Sequence, residues 1–553
     1  MKGEMYMQFL TSVFTAISLF FSSLFGLLGG VSTYRYTVDT TKTGDIVPNI
    51  VDNVNVWEMG RQFINATNNA KYDIFDFTEY VQLMQCTGGS PERDLFKNPY
   101  DTSTYTDYNF SRLIENCRGI LKLGAKPHLK LGSVPIKMTS GFELAYFTTN
   151  VYPPDNFRLY YEYIKAVAQA LVDEFGVEEV KTWRFGCMTE YENSDWFMAK
   201  DKTPDSSRNA YCALYDYTVQ ALIDVIGEDV FVGAHCMGVT EGLWDETELL
   251  KHCAKEINYA TGKIGTRICF LSSSFYDAEP GRYTGGYTLP ELAEHLQSAA
   301  KKYGFDNLIY GIDEGRILSG VNSGADDTQL LARVTGYTWQ AAYDARLFTQ
   351  AINGGLDYFS SWYFLTNGLL DGIPIMSYHV ANNIYKFAGG RQVDVKEKHM
   401  KTGVKVESDC LTSWNEETQT LRLMTYNFKN NLKYKKSMNV SFDINVPQLD
   451  GKEVTVTEYL LNDDCNFFDE WQEDRKTYNI GDDCFSWSPD DPILESSATL
   501  SDARAREIFK SNKDRYEKCA TLTPVTTKVK VENGKIQLSE KLGAGNVVFY
   551  EIH

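Results

Sequence analysis

The chain lacks the short motifs that would assign it to several large enzyme classes. It has no Cys-x-x-Cys, no His-Glu-x-x-His and no Gly-x-x-x-x-Gly-Lys, although it contains 7 His and 11 Cys. Metal-site and phosphate-loop readings therefore have no support in the motifs. Gly-x-Ser-x-Gly is absent as well, which removes the serine-hydrolase elbow. Positive charge is short: 54 Lys and Arg face 74 Asp and Glu, a net charge of -20. Such a field repels phosphate backbones and anionic membrane surfaces, so nucleic acid is excluded as a partner. The cysteines are odd in number and scattered, and imply no disulfide framework. Cys187, Cys236 and Cys269 fall in apolar strand-like runs, where thiols act as small buried hydrophobes. There is no internal repeat or low-complexity linker, and no cofactor or metal is implied.

What is abundant is apolar and aromatic. The 553 residues are 43% hydrophobic and 14% aromatic, with 35 Tyr, 31 Phe and 9 Trp, enough for one large domain and at least one smaller one. Sugar rings present apolar CH faces that dock on such side chains. Residues 9 to 28, FLTSVFTAISLFFSSLFGLL, form an uncharged run that reads as a secretory signal or a membrane anchor, long enough to span a bilayer. Asn65, Asn109 and Asn439 head Asn-x-Ser/Thr sequons. An extracellular or cell-surface protein is expected.

Residues 57 to 394 alternate short β-rich runs with amphipathic segments, the pattern of βα units around a parallel sheet. In FRLYYEYIKAVAQALVDEFG, apolar positions recur at three- and four-residue steps. Asp155 is placed to cap its start and Gly176 its end. Strands are predicted at AKPHLKLG, VKTWRFGCM, DVFVGAH, RICFLSSSFY, NLIYGID and LDYFSSWYF. Further ones are predicted near Val54 to Glu58, at KYDIFDF and around Tyr80 to Gln85, and the total approaches the eight that close a barrel. A long helical run is predicted from Asp327 to Ile352. From residue 395 to 553 the texture becomes alternating, in VKVESDCLTSW, TLRLMTYNF, NVSFDINV and EVTVTEYLL, an antiparallel sandwich pattern. One helix near Ala503 to Lys513 precedes KVKVENGKIQL and NVVFYEIH, with Asn533-Gly534 as a turn. The expected organisation is a leader over 1–30, strands over 31–56 joining the sandwich, a (β/α)8 TIM barrel over 57–394 and a β-sandwich over 395–553.

In such a barrel, function sits at the C-terminal ends of the strands. Glu190 ends KTWRFGCMTE and Glu314 ends LIYGIDE. Glycosidic cleavage needs one carboxylic acid to protonate the leaving oxygen and one carboxylate to meet the oxocarbenium-like carbon, about 5–5.5 Å apart when configuration is retained. Two strand ends facing across a barrel mouth supply that pair. The competing readings are a strand-end surface carboxylate at 190, or displacement of its role to Glu192, and Asp313 in place of Glu314. Strand alternation points Asp313 to the opposite side from Glu314.

The run VYPPDNFRLYYEYIKAVAQALVDEFGVEEVKTWRFGCMTEYENSDWF resembles the acid/base region of glycoside hydrolase family 39, the β-xylosidases and α-L-iduronidases of clan A. The resemblance places the acid/base on Glu190. AKPHLKLGSVP resembles the family's third-strand motif, and NLIYGIDEG resembles its nucleophile strand, which puts the nucleophile on Glu314. In CFLSSSFY the clan's sixth-strand tyrosine, which hydrogen-bonds the nucleophile, falls on Tyr276. In DYFSSWYF, Trp362 falls where a sugar platform is expected, and YLLNDDCNFFDEW resembles the closing segment.

The chain departs from the family pattern at the residue before the acid/base, Thr189 instead of the Asn that holds the sugar 2-hydroxyl, and after it at Tyr191. It departs also at Gly186 and Lys130, both glutamate positions in the family, and at Ser274, a histidine position. Lys130 and His128 lie two apart on one strand and point the same way, offering the pocket a cation for an acidic sugar. The competing reading pairs Lys130 with a barrel carboxylate. What the resemblance implies is a retaining, exo-acting hydrolase of a β-xyloside-like oligosaccharide or glycoside. The alternatives are a catalytically silent carbohydrate-binding barrel and a clan A endo-glycanase.

Overall fold

The computed structural model describes residues 31–57, 59–60, 71–238, 242–279, 282–283, 287–317, 338–361, 369–370, 372–400, 406–431, 434–480, 485–486, 499–500 and 503–553. Eight parallel strands close a barrel: β2 (Asn53–Val56), β3 (Tyr80–Leu83), β4 (Lys126–Leu131), β5 (Arg184–Cys187), β6 (Val232–Cys236), β7 (Phe270–Glu279), β8 (Ile309–Ile317) and β9 (Tyr358–Ser361). The ring closes where Ser361 pairs with Val54. Strands β2 and β9 are buried along their whole length, as expected when one face meets the barrel interior and the other meets helices. At the β6–β7 seam Gly233 lies opposite Phe270. A Cβ there would sit 2.2 Å from the Phe270 carbonyl oxygen, so only glycine lets the two strands approach.

Helices α1 (Ser111–Lys122), α2 (Phe157–Phe175), α3 (Pro204–Ile226), α4 (Glu248–Lys255), α5 (Leu289–Lys302) and α6 (Thr338–Asn353) lie between the strands in the chain. Helix α2 starts one residue later than expected from Asp155. Asn156 is its cap, accepting from the Arg158 and Leu159 amides, while Asp155 instead accepts from the Ser140 amide and pairs with Lys200. Gly176, with φ of 83°, ends the helix as expected. KYDIFDF is not a strand: Asp73 accepts from the Phe75 amide and turns Ile74–Asp76 into one 3-10 turn. The first part of the predicted Asp327–Ile352 helix lies outside the described residues.

The second sheet has nine strands in the order β15-β14-β17-β12-β11-β10-β1-β13-β16. These are β1 (Thr33–Ile46), β10 (Arg391–Met400), β11 (Cys410–Asn415), β12 (Thr420–Tyr426), β13 (Met438–Asn445), β14 (Glu453–Leu461), β15 (Val525–Lys530), β16 (Lys535–Leu542) and β17 (Val547–Ile552). The N-terminal strand β1 pairs antiparallel with β10 and parallel with β13. KVKVENGKIQL breaks at Asn533 and Gly534, both with positive φ, and its halves become the two edge strands β15 and β16. Since only that short link separates the edges, the sheet folds over on itself into two layers. Phe442 of β13 meets Tyr550 of β17 edge-on at 5.7 Å across the core between them. Helices α7 (Phe468–Thr477), α8 (Ala503–Ser511) and α9 (Lys513–Cys519) form a third, smaller cluster around Phe467, Trp471, Phe509 and Tyr516. Among the described residues ten cysteines are free, and no helix is long and apolar enough to cross a membrane. The run at 9–28 lies outside the described residues.

Candidate active site

Strand β5 ends in a backbone that is bent on purpose. Met188 and Glu190 take φ of 68° and 43°, a left-handed region that costs about 1–2 kcal/mol per non-glycine residue. The turn after them is tied down by Asn193, whose amide N–H donates to the Glu190 carbonyl while its side chain donates to Glu190 Oε2 at 2.7 Å. Glu190 is thus held at the barrel mouth, 6% exposed.

Glu314 reaches the same place through an irregularity in β8. Ser273 pairs with Ile312, but Ser274 pairs with Glu314, so Asp313 is an extra residue in the ladder. Strand alternation would turn Asp313 away from the barrel axis. The bulge corrects that expectation, because it lets consecutive residues face inward. Asp313 drops into the barrel and Glu314 stands at its mouth, also 6% exposed.

Ser274 joins the two glutamates. Its Oγ lies 2.7 Å from Glu190 Oε1 and 3.1 Å from Glu314 Oε1, with His235 Nε2 at 2.9 Å on its other side. One oxygen of each glutamate and a ring nitrogen of His235 lie within 4.8 Å of one another. Burial, and then the charge of Glu190, push the Glu314 carboxyl well above the ordinary range. A carboxylate this close to a second carboxylate is disfavoured in its charged form. These three side chains have the composition of a cation site, but Ser274 already engages both the imidazole and the carboxylates.

One layer deeper, Lys130 and Asp313 form an ion pair with neither side chain exposed. Tyr358 donates to the other Asp313 oxygen at 2.5 Å. The adjacent Lys130 ammonium holds the Asp313 carboxyl below the usual carboxylate range despite burial. The pocket cation expected at 130 is therefore neutralised inside the barrel. His128 does not reach the mouth either: its Nδ1 lies 3.3 Å from Asn53 Nδ2, its ring meets Phe270 edge-on at 5.4 Å, and burial pushes its pKa well down. Gly186 explains how a lysine fits there. It is Lys130's register partner, and a Cβ on it would sit 2.6 Å from Lys130 Cδ.

Thr189 is buried beside Glu190, and its Oγ1 has no hydrogen-bond partner. Glu192 is buried as well: Oε1 accepts from the Met237 amide at 2.6 Å, and burial pushes its carboxyl well up. Tyr276 is buried and stands opposite Arg316 in the β7–β8 ladder. Trp362 lies outside the described residues.

Two features escaped the sequence reading. Arg316, at φ of 95°, is clamped by both carboxylate oxygens of Asp344 at 2.8 Å, anchoring the strand end just past Glu314. Trp57, Phe147 and Trp196 form an aromatic ladder, Phe147 stacking on Trp196 at 4.4 Å and Trp57 tilting against it at 5.5 Å. Trp196 belongs to the turn that carries Glu190, its amide donating to the Asn193 carbonyl. The one signal for it was the Asp-Trp-Phe after Glu190.

A closed parallel barrel with two adjacent glutamates at its mouth has the architecture of a glycoside hydrolase. The sequence signature of Glycosyl hydrolases family 39 matches residues 94–483, and the chain belongs to that family. It is similar to a β-xylosidase of Geobacillus stearothermophilus, 25% identical over 274 residues that cover 46% of this chain and 48% of that protein. It is similar also to a β-xylosidase of Caldicellulosiruptor saccharolyticus, 24% identical over 212 residues, 37% of this chain and 40% of that protein. The matched regions thus span about half the length of these curated relatives or less. Among solved structures, the monomeric β-xylosidase of Caulobacter crescentus CB15 has the same fold, with a TM-score of 0.63 at 14% identity over 94% of this chain and 99% of that one.

Proposed function

We propose that the protein is a retaining glycoside hydrolase that removes the terminal residue of a β-xyloside-like oligosaccharide or glycoside, with Glu190 as acid/base and Glu314 as nucleophile. The observation that carries this reading is the closeness of the two carboxyls, oxygens within 4.8 Å. Retaining enzymes hold the pair about 5–5.5 Å apart, whereas inverting enzymes need about 6.5–9.5 Å to admit a water.

In the first step the Glu314 carboxylate attacks the anomeric carbon while Glu190 gives its proton to the departing oxygen. The glycosyl–oxygen bond breaks and a glycosyl ester on Glu314 forms. In the second step Glu190, now ionised, takes a proton from water, whose oxygen displaces Glu314 and regenerates both groups. Glycosylation removes the charge from Glu314, which lets the same Glu190 turn from acid to base. The unpartnered Thr189 hydroxyl beside Glu190 is the group we assign to the sugar 2-hydroxyl. An extracellular or cell-surface location belongs to the same reading and rests on the apolar run at 9–28; fractionation of cells producing the full chain tests it.

The test is hydrolysis of aryl xylosides, glucosides, arabinosides and uronides by the wild type, Glu190→Ala and Glu314→Ala, with azide rescue of both variants. Loss in both, with rescue products of opposite anomeric configuration, is the expected result. A folded wild type that hydrolyses none of them but binds oligosaccharide would replace this reading with a silent carbohydrate-binding barrel.

A further inference from the structure

The Ser274 hydroxyl carries one hydrogen and has three polar neighbours: His235 Nε2 at 2.9 Å, Glu190 Oε1 at 2.7 Å and Glu314 Oε1 at 3.1 Å. His235 and Ser274 are completely buried, so none of these contacts is traded for solvent. All three are satisfied together when Ser274 accepts two hydrogen bonds and donates one. A neutral imidazole protonated on Nε2 supplies the first donor and one protonated glutamate the second, and the ionised glutamate takes the serine hydrogen. With the ring proton on Nδ1 instead, the serine hydrogen would go to Nε2. A singly protonated glutamate pair would then set its carboxylate against an oxygen lone pair.

Nδ1 has no hydrogen-bond partner, and a bare buried acceptor is tolerated better than an orphaned buried N–H. The Asp313 carboxylate at 3.8 Å from it pulls the other way, towards a proton on Nδ1, but it lies beyond hydrogen-bond distance and is already engaged by Lys130 and the Tyr358 hydroxyl, so the serine contacts decide the tautomer. The charged and titratable groups around the arrangement are Glu190 and Glu314 at the mouth, and Lys130, Asp313 and His128 below. Burial pushes the His235 pKa well below the ordinary histidine value, in line with a neutral ring.

We infer that His235 and Ser274 form a positioning pair that fixes the two glutamates with one proton between them, the state from which double displacement starts. The inference rests on the glycosidase reading above. The pair acts through the hydroxyl alone: by donating to the carboxylate and accepting from the carboxylic acid, Ser274 favours single protonation over both the empty and the doubly protonated states. It therefore widens the pH interval in which the site is competent.

The experiment has two arms. Nitrogen-15 NMR of the wild type labelled at histidine, with the His235 signals identified by their loss in His235→Gln, reads the tautomer directly. The pH profile of kcat/KM on an aryl glycoside is recorded for the wild type, Ser274→Ala, His235→Gln and His235→Leu. A neutral Nε2–H tautomer is expected, with a bell narrowed by about one pH unit or more in Ser274→Ala and His235→Leu. His235→Gln, whose side-chain amide can donate from the place of Nε2, keeps the width. An Nδ1–H or charged ring, or a bell of unchanged width in Ser274→Ala, overturns the inference. A wild type that turned over no glycoside would sink the glycosidase reading, and the NMR arm would still decide the tautomer.

Discussion

Lys130 and Asp313 face each other inside the barrel, with neither side chain exposed, one layer beneath Glu190 and Glu314. An ion pair taken wholly out of water gains little over an apolar pair of the same volume, but half of one is costly. Lys130→Met leaves a carboxylate buried with only the Tyr358 hydroxyl and the flanking imidazoles, and is expected to destabilise by about 3–5 kcal/mol in chemical denaturation. Adding Asp313→Asn should recover most of that loss, which a purely additive pair of substitutions would not do.

Gly186 is expected to be coupled to the same lysine. A methyl group there meets Lys130 Cδ at 2.6 Å, and the lysine cannot swing aside because its ammonium is held by Asp313. Gly186→Ala should cost about 1–3 kcal/mol in the wild type, as overpacking does. The same substitution in a Lys130→Ala background should cost close to nothing, and a double-mutant cycle on denaturation midpoints reads the difference.

Asn193 donates to Glu190 Oε2 from the turn that also fixes the Glu190 backbone. Asn193→Ala frees the carboxyl from that side-chain anchor. Since a hydrogen bond to a charged group is worth about 1.5–3 kcal/mol, kcat/KM on an aryl glycoside should fall roughly ten- to a hundredfold. The loss should appear in kcat with KM little changed, because the role proposed for Glu190 lies in the bond-breaking step.

Glu192 gives a pH effect on stability. Burial raises its carboxyl well above the ordinary 4.5, so the folded state keeps a proton that the unfolded chain has lost. Stability is then full below the ordinary glutamate range and falls as pH rises through it towards the folded value. Glu192→Gln, which keeps the shape without the charge, should flatten part of that decline in a series of thermal midpoints from pH 4 to 8. A decline as steep as in the wild type would show that Glu192 is not its source.

How much of this was readable beforehand divides along the period of the chain. The barrel strands and α2 were legible because apolar spacing at two and three-to-four residues is local, and the family motifs singled out Glu190 and Glu314 as candidates. What escaped was set by register. Alternation turned Asp313 outward, and only the bulge opposite Ser273 and Ser274 places it inside. Lys130, Gly186 and Asp313 each read as an isolated oddity until the ladder put Lys130 beside Gly186 and the barrel closed it onto Asp313. KYDIFDF has strand-like composition, but the Asp73 side chain offers its backbone a competing local hydrogen bond. Ser274 stood out only as a missing histidine, and the imidazole behind it comes from a different strand.

The measurement that bears most directly on the account is trapping of the covalent intermediate. A 2-deoxy-2-fluoro glycoside with a good leaving group slows the second step of a double displacement, and peptide mass spectrometry then locates the sugar. One equivalent of glycosyl ester is expected on Glu314, formed by the wild type and absent from Glu314→Ala. An ester on another residue, or turnover with inversion and no adduct, would contradict it.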